Sequence, residues 1–253
     1  MRKFLVSILT IFFWVSLCMG SKLTKEEFLN RSPHLKKLLE TAGGSAFLEK
    51  FKDVGPLYEV IIKTSSGKRV VYITKDFKYL ILGSLFDKNA QNITKEREKE
   101  LNKIEISQLP LNEALVQKGG NGEKKVILFV DPYCPHCKNL VNYLKTKENY
   151  TLYLYLFPLS DKSKETSLKI LCSDKAPIES YLEAEKLEKT CDGAKEKLEK
   201  HIALAQKFNL HGTPFVILGD GSNFYGSNLE KIEEYLSKND SNESKEKFYK
   251  KGK

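Results

Sequence analysis

The stretch Val126 to Leu144, VILFVDPYCPHCKNLVNYL, constrains this chain more than any other. Val126 to Val130 is an apolar run of strand length, and Asp131 to Tyr133 is a turn that contains a proline. Cys134-Pro135-His136-Cys137 then opens an amphipathic helix. The result is a strand-to-helix CxxC.

That geometry carries chemistry. A cysteine at the start of a helix faces unpaired backbone N–H groups and the positive end of the macrodipole, and both favour thiolate over thiol. Cys134 is therefore the expected nucleophile. Cys137, one turn further in, stands where it can attack a mixed disulfide at Cys134 and release the substrate. Pro135 occupies the first turn, where its missing N–H costs nothing, and a proton on His136 adds positive charge beside the sulfur. The same spacing serves as half of a zinc site, but no second pair at comparable spacing accompanies it. Redox chemistry is the leading reading, with metal binding and inert structural cysteines as the alternatives.

A second stretch lies near the C-terminus. His211-Gly212-Thr213-Pro214 precedes Phe215 to Leu218, a strand that ends at Gly219-Asp220-Gly221. A Thr-Pro bond entering a strand is a candidate cis peptide that aims a backbone edge at a neighbouring site. An ordinary turn proline is the alternative. The order of CxxC strand and helix, intervening helices, then TP and strand favours the cis reading.

The run FVDPYCPHCKNL together with GTPFVILGDG resembles the thioredoxin superfamily, and within it the periplasmic disulfide isomerases of the DsbC and DsbG type. Asp131, three residues before Cys134, is similar to that group's pattern, and Leu128 stands where classical thioredoxins carry a buried acid. Pro135-His136 departs from the group, being the dipeptide usual in the monomeric oxidase DsbA. The resemblance implies catalysis by Cys134 and Cys137, substrate binding at Thr213 and Pro214, and no metal or organic cofactor. It further implies a homodimer, misfolded exported clients, a membrane thiol-disulfide reductase as partner, and some chaperone activity.

Met1 to Gly20 begins with Arg2-Lys3, runs apolar from Phe4 to Leu17 and ends at Cys18-Met19-Gly20. It reads as a secretory signal peptide, so the expected location is the periplasm; an uncleaved anchor is the alternative. A lipid-modified Cys18 is disfavoured by the bulky Leu17. Of five cysteines, cleavage at residue 20 leaves Cys134, Cys137, Cys172 and Cys191. If the first two cycle, Cys172 and Cys191 remain to pair, and isomerases resembling this chain carry a structural disulfide in the same region. Two free buried thiols are the alternative.

The remainder divides into a small N-terminal α+β domain (21–93), a linker helix (94–104), a thioredoxin-like α/β domain with a helical insertion (105–237) and a charged tail (238–253). Thr24-Lys25-Glu26-Glu27 starts a helix that Ser32-Pro33 interrupts and Gly43-Gly44 ends. Leu57 to Lys63 and Arg69 to Thr74 read as a hairpin, and Tyr79 to Phe86 as a third strand. The pattern YITKDFKYLILGSLFD followed by NIT is similar to the isomerases' dimerisation domain. TKEREKELNK is charged on most faces and reads as a rigid linker helix, with a surface helix packed on one domain as the alternative. Ile104 to Leu109 is expected as a strand, Pro110 to Gln117 as a short helix, and Tyr150 to Phe157, past the CxxC helix, as the next parallel strand. Lys162 to Lys200 is expected to be helical, and Ala194 to Asn209 to present Leu198, Ile202, Ala205 and Phe208 on one side. His201 reads as a surface or boundary residue, and His211 as a neighbour of the TP loop without a catalytic role.

At 253 residues the chain suits one large or two modest domains. Its charge of +9 comes from lysines spread along the chain among glutamates, which argues for a solvated surface and against nucleic acid. The leading expectation is a thiol-disulfide isomerase. A dithiol oxidase, motivated by Pro135-His136, and a holdase with incidental redox activity are the competitors.

Overall fold

The computed structural model describes residues 23–238. The expected signal peptide and all but the first residue of the expected tail lie outside the described residues.

Helix α1 (Lys25–Arg31) begins in a reciprocal cap: Thr24 Oγ1 accepts from Glu27 N–H at 3.2 Å, and the Glu27 carboxylate accepts from Thr24 N–H at 2.8 Å. Ser32 separates it from α2 (Pro33–Thr41), with Pro33 in the first turn, where a missing N–H is harmless. Strands β1 (Ala46–Asp53), β2 (Leu57–Thr64), β3 (Gly67–Thr74) and β4 (Leu80–Ile81) form an antiparallel sheet in that order. Phe28 and Leu35 from the two helices meet Val60, Ile62, Val71 and Ile73 of the sheet in a dry core. Phe28 stacks on Phe51 with ring centroids 4.1 Å apart.

The hairpin expected over residues 57–74 is present, preceded by the unanticipated β1. The strand expected from Tyr79 to Phe86 shrinks to β4. Among the described residues only Leu80 and Ile81 join the sheet, opposite Ile73 and Tyr72, and Phe86 makes an isolated bridge with Asn92, while Tyr79, Leu82 and Phe86 are each more than 60% exposed.

Helix α3 (Ile93–Leu101) occupies most of the expected linker, but it is a surface helix packed on the first sheet. Thr94 is buried against the Tyr72 hydroxyl at 2.7 Å, and the Glu98 carboxylate accepts the Val70 N–H at 2.9 Å. Asn102, just past the helix, locks the arrangement. Its side chain accepts from Lys68 N–H at 2.7 Å and donates to the carbonyls of Lys68 at 2.9 Å and Glu98 at 2.7 Å. Gly67 has φ +117, and a Cβ there would lie 2.7 Å from Asn102 Oδ1, so only glycine admits this approach. The Asn102 carbonyl accepts from the Asn223 side chain at 2.8 Å, and Ile104 N–H donates to Gly221 O at 2.9 Å, which joins the helix to the second sheet.

That sheet contains β5 (Leu115–Gly119), β6 (Lys124–Val130), β7 (Tyr150–Leu156), β8 (Phe215–Leu218) and β9 (Asn223–Tyr225), in the order β5-β7-β6-β8-β9. Strands β6 and β7 are parallel, and the other neighbours are antiparallel. Helices α4 (Pro135–Lys145), α5 (Asp161–Leu171), α6 (Pro177–Leu182), α7 (Ala194–Lys207) and α8 (Leu229–Ser237) complete this half. Side chains of β6 alternate between two cores, as a strand covered on both faces requires. Val126, Leu128 and Val130 pack with Leu140 and Leu144 of α4, whereas Ile127 and Phe129 pack with Tyr155, Ala205 and Ile217.

Four expectations for this half need correction. Ile104 to Leu109 is no strand: among the described residues it has no partner strand, and Ile106–Gln108 makes a 3-10 turn. Pro110 to Gln117 is no single helix; a 3-10 turn at Leu111–Glu113 leads into β5, which pairs with β7. The helical run over 162–200 is broken into α5, α6 and a 3-10 turn at Ala184–Lys186, with no helix from Leu187 until α7. Finally, His201 is completely buried: its Nδ1 accepts the Leu156 N–H at 3.0 Å, and its Nε2–H donates to Glu113 O at 2.7 Å.

These two backbone partners require the neutral ring, and burial lowers the proton affinity of His201. The unfolded chain therefore binds a proton at this position at higher pH than the fold does. Stability is expected to hold above the ordinary histidine value of about 6.5 and to fall as pH drops below it toward the lowered native value. Urea unfolding across pH 5 to 8 measures this, and His201→Gln should lose much of the slope.

Candidate functional site

Strands β6 and β7 end side by side, with Val130 opposite Leu156, and Phe157 N–H donates to Val130 O at 2.8 Å. Just beyond, Asp131 is buried at 4% exposure. One carboxylate oxygen accepts the Tyr133 N–H at 2.7 Å, and the other accepts the Leu159 N–H at 2.8 Å. A buried carboxylate is tolerated when its oxygens are satisfied in this way. It ties the turn that leaves β6 to the loop that leaves β7. The carbonyl of the same residue accepts from Cys134 N–H at 3.1 Å and from the Tyr181 hydroxyl at 2.6 Å.

Cys134 caps α4, its Sγ accepting the Cys137 N–H at 3.3 Å, where a serine or aspartate oxygen commonly sits. Pro135 takes the first helical position, and both it and His136 are exposed. Cys134 is half-buried and Cys137 fully buried; neither is in a disulfide. Burial pushes the Cys137 thiol well above its ordinary range, and its hydrogen bond with Cys134 acts in the same direction.

The second stretch arrives by sheet pairing. Strand β8 runs antiparallel to β6 with Phe215 opposite Phe129, which sets Pro214 beside the end of β6. The Thr213–Pro214 peptide is cis. Cys134 Sγ lies 3.5 Å from the Thr213 carbonyl oxygen and donates to it as a thiol. His211 is exposed, and its backbone N–H donates to the Tyr225 hydroxyl at 3.3 Å. Cys172, at the end of α5, is disulfide-bonded to Cys191 in the segment before α7. Among the described residues, no group of three or more His, Cys, Asp or Glu is gathered as a metal site.

Thus the fold brings Cys134, Pro135, His136, Cys137, Thr213 and Pro214 to one place. Residues from the helical insertion join them without having been singled out in the sequence. Tyr181 of α6 is completely buried, and Thr166 of α5 meets the Tyr133 hydroxyl at 3.0 Å. Lys162 lies over the Tyr133 ring, 4.4 Å from its centroid. Nothing in the charged segment that holds Tyr181 marks it, apart from being an aromatic residue among acids and lysines.

Residues 111–238 match the thioredoxin-like domain family, and residues 49–95 match the disulfide bond isomerase protein N-terminal domain. A curated relative, the probable thiol:disulfide interchange protein DsbC of Bordetella avium, is 29% identical over 171 residues, covering 66% of this chain and 61% of that protein. Its namesake in Bordetella parapertussis is 28% identical over 177 residues, covering 68% and 61%. The chain thus spans 61% of the length of these relatives. The crystal structure of a disulfide interchange protein from Neisseria gonorrhoeae aligns with 51% of this chain and 100% of its own, at 22% identity and a TM-score of 0.45.

Removal of the Asp131 carboxylate tests how the turn is held. Asp131→Ala leaves the Tyr133 and Leu159 N–H groups without acceptors, and is expected to cost about 3 kcal/mol. Denaturant unfolding should show the midpoint falling with an unchanged slope.

Proposed function

The chain belongs to the thioredoxin-like family, and on that premise we propose that it is an exported thiol-disulfide isomerase, able also to act as a reductase, that rearranges wrong disulfides in client proteins. The observation that carries this reading is the setting of one sulfur. Cys134 stands half-buried at a helix start, with the Cys137 N–H on its Sγ, the Thr213 carbonyl 3.5 Å from that sulfur and the Cys137 thiol buried.

In this scheme the Cys134 thiolate, assisted by the Cys137 N–H and the helix dipole, attacks a client disulfide. A mixed disulfide forms and one client thiolate leaves. That thiolate then attacks a different client bond, or Cys137 attacks Cys134 Sγ and frees the client with its bond reduced. The backbone beside Thr213 and Pro214 receives an extended client segment by strand addition. Pro135 and His136 flank the sulfur on its exposed side and tune its oxidising strength. The Cys172–Cys191 bond is structural and takes no part in exchange. The Bordetella relatives, probable thiol:disulfide interchange proteins, are named for the same chemistry.

The match of residues 49–95 supports a homodimer formed through the N-terminal domain. The first sheet ends on the two-residue β4, beside exposed Tyr79, Leu82 and Phe86, and pairing with a second copy satisfies such an edge. Residues 1–20 export the chain to the periplasm, where misfolded disulfide proteins are its clients and a membrane thiol-disulfide reductase returns it to the dithiol form. Among the described residues no helix is long and apolar enough to cross a membrane.

Recovery of a multi-disulfide test enzyme from its scrambled form, in thiol buffer, measures the isomerase activity. Recovery is expected to be fast and to fall to background with Cys134→Ala. Fast oxidation of the fully reduced test enzyme with poor unscrambling would instead assign a dithiol oxidase. Sedimentation velocity reads the assembly: a dimer is expected for the parent chain and a monomer for Leu82→Lys.

A further inference from the structure

The sheet order sets Cys134 between two borders. Strand β8 flanks β6 on one side, and the Thr213 carbonyl that precedes it lies 3.5 Å from the Cys134 sulfur. Strand β7 flanks β6 on the other side, and the chain that leaves it runs through Leu159 into α5. A client segment added along the first border leaves the second to meet the residues around its attacked cysteine.

That second border is built around Tyr133, the residue before the nucleophile. Its N–H is held by the Asp131 carboxylate at 2.7 Å and its hydroxyl meets Thr166 of α5 at 3.0 Å, so both ends of the residue are fixed. Two lysines lie on its ring. Lys162 Nζ, from the first turn of α5, is 4.4 Å from the ring centroid, and Lys138 Nζ, one helical turn beyond Cys134, is 5.9 Å from it. The two are not equivalent. The Glu185 carboxylate lies 3.2 Å from Lys138 and answers its charge. Lys162 is exposed and, among the described residues, forms no ion pair; Glu165 on the same helix is turned to Lys169 at 3.8 Å, and Asp161, beside Lys162 in the chain, makes no bridge to it. A cation over an aromatic face is attracted by the ring but not neutralised, because the ring carries no net charge. Tyr133 thus holds an uncancelled positive charge at the lip of the exchange site.

We propose that Lys162 is a specificity-determining residue of the exchange site, its ammonium receiving the carboxylate of an acidic residue next to the client cysteine that Cys134 attacks. The proposal rests on the exchange reading above and deepens it by naming a class of client, disulfides whose cysteines have Asp or Glu beside them. The exchange itself is unchanged. The Cys134 thiolate attacks a client sulfur, the new bond forms as the client S–S bond breaks, and the other sulfur departs as a thiolate. The ion pair with Lys162 is made as the client arrives and speeds this first attack. The later attack of Cys137 on Cys134 Sγ draws on no contact with Lys162. At an exposed position such a pair is screened by salt.

The test uses the full reduced chain and two end-blocked peptides, Asp-Cys-Asp and Asn-Cys-Asn, each joined through its cysteine to the same coloured aromatic thiol. Attack by Cys134 on the peptide sulfur releases the aryl thiolate, so stopped-flow absorbance gives a rate for each peptide with an identical leaving group. Lys162→Gln is expected to lower the ratio of the acidic to the neutral rate by about threefold, the size of one exposed ion pair, through the acidic peptide alone. Lys162→Glu should lower it further, and Lys162→Arg, which keeps a cation on the ring, should retain it. Lys164→Gln removes the same charge from an exposed position two residues on and should leave the ratio unmoved. Raising the salt should bring the parent's ratio toward that of Lys162→Gln. Lys162 is exposed, so none of these changes disturbs the core. Failure of the parent chain to release aryl thiolate from either peptide would defeat the exchange reading itself. Release from both, with a ratio that Lys162→Gln leaves unmoved or that Lys164→Gln lowers as much, would overturn the role of Lys162 alone.

Discussion

The paired hydrogen bonds of the Asp131 carboxylate hold the site together. Strands β6 and β7 would carry their chains off in independent directions after Val130 and Leu156. One buried side chain, accepting from Tyr133 and from Leu159, fixes both exits at once. Because the turn is fixed, Cys134 caps α4 with its sulfur; because β8 lies on the other side of β6, the Thr213 carbonyl meets that sulfur. The loop held at Leu159 leads directly into α5, whose Thr166 meets Tyr133. The main chain of Asp131 then receives Cys134 and Tyr181, so that backbone, nucleophile and insertion converge on one residue.

Much of this was legible in the residues, and the reasons are physical. An apolar run such as Val126 to Val130 has few choices but a strand buried on both faces, and a CxxC after a proline turn fits a helix start. The TP segment was readable because its role is local to the backbone. The errors fall where local pattern and tertiary pairing diverge. In β1 the register shifts between Leu48 and Lys50, and this irregularity breaks the alternation of buried and exposed side chains that would have marked AFLEKFKD as a strand. The stretch from Tyr79 to Phe86 shows the opposite case, suitable strand residues of which, among the described residues, only Leu80 and Ile81 pair in the sheet.

His201 and Tyr181 escaped for a related reason. Each sits in a lysine- and glutamate-rich segment whose composition speaks of solvent, and each satisfies its polar atoms on backbone groups distant in sequence. His201 meets Leu156 and Glu113, and Tyr181 meets Asp131. Such partners leave no trace in spacing or composition. They emerge only when the insertion folds back upon the sheet, and the polar side chains on its inner side acquire roles that its outer charges conceal.

The junction at Asn102 has a consequence for how this architecture tolerates change. Its side chain contacts Lys68 and Glu98 only through their main-chain atoms, and its own carbonyl is what Asn223 grips. A joint that reads backbone is indifferent to the side chain at position 68, so a change there leaves these bonds in place, whereas the Glu98 carboxylate is itself needed by the Val70 N–H. It is intolerant of altered length, since one residue added to the turn between β2 and β3 displaces both Lys68 groups from the amide that meets them. The boundary thus depends on chain length and on a few residues, Gly67, Glu98, Asn102 and Asn223, rather than on the side chains around them.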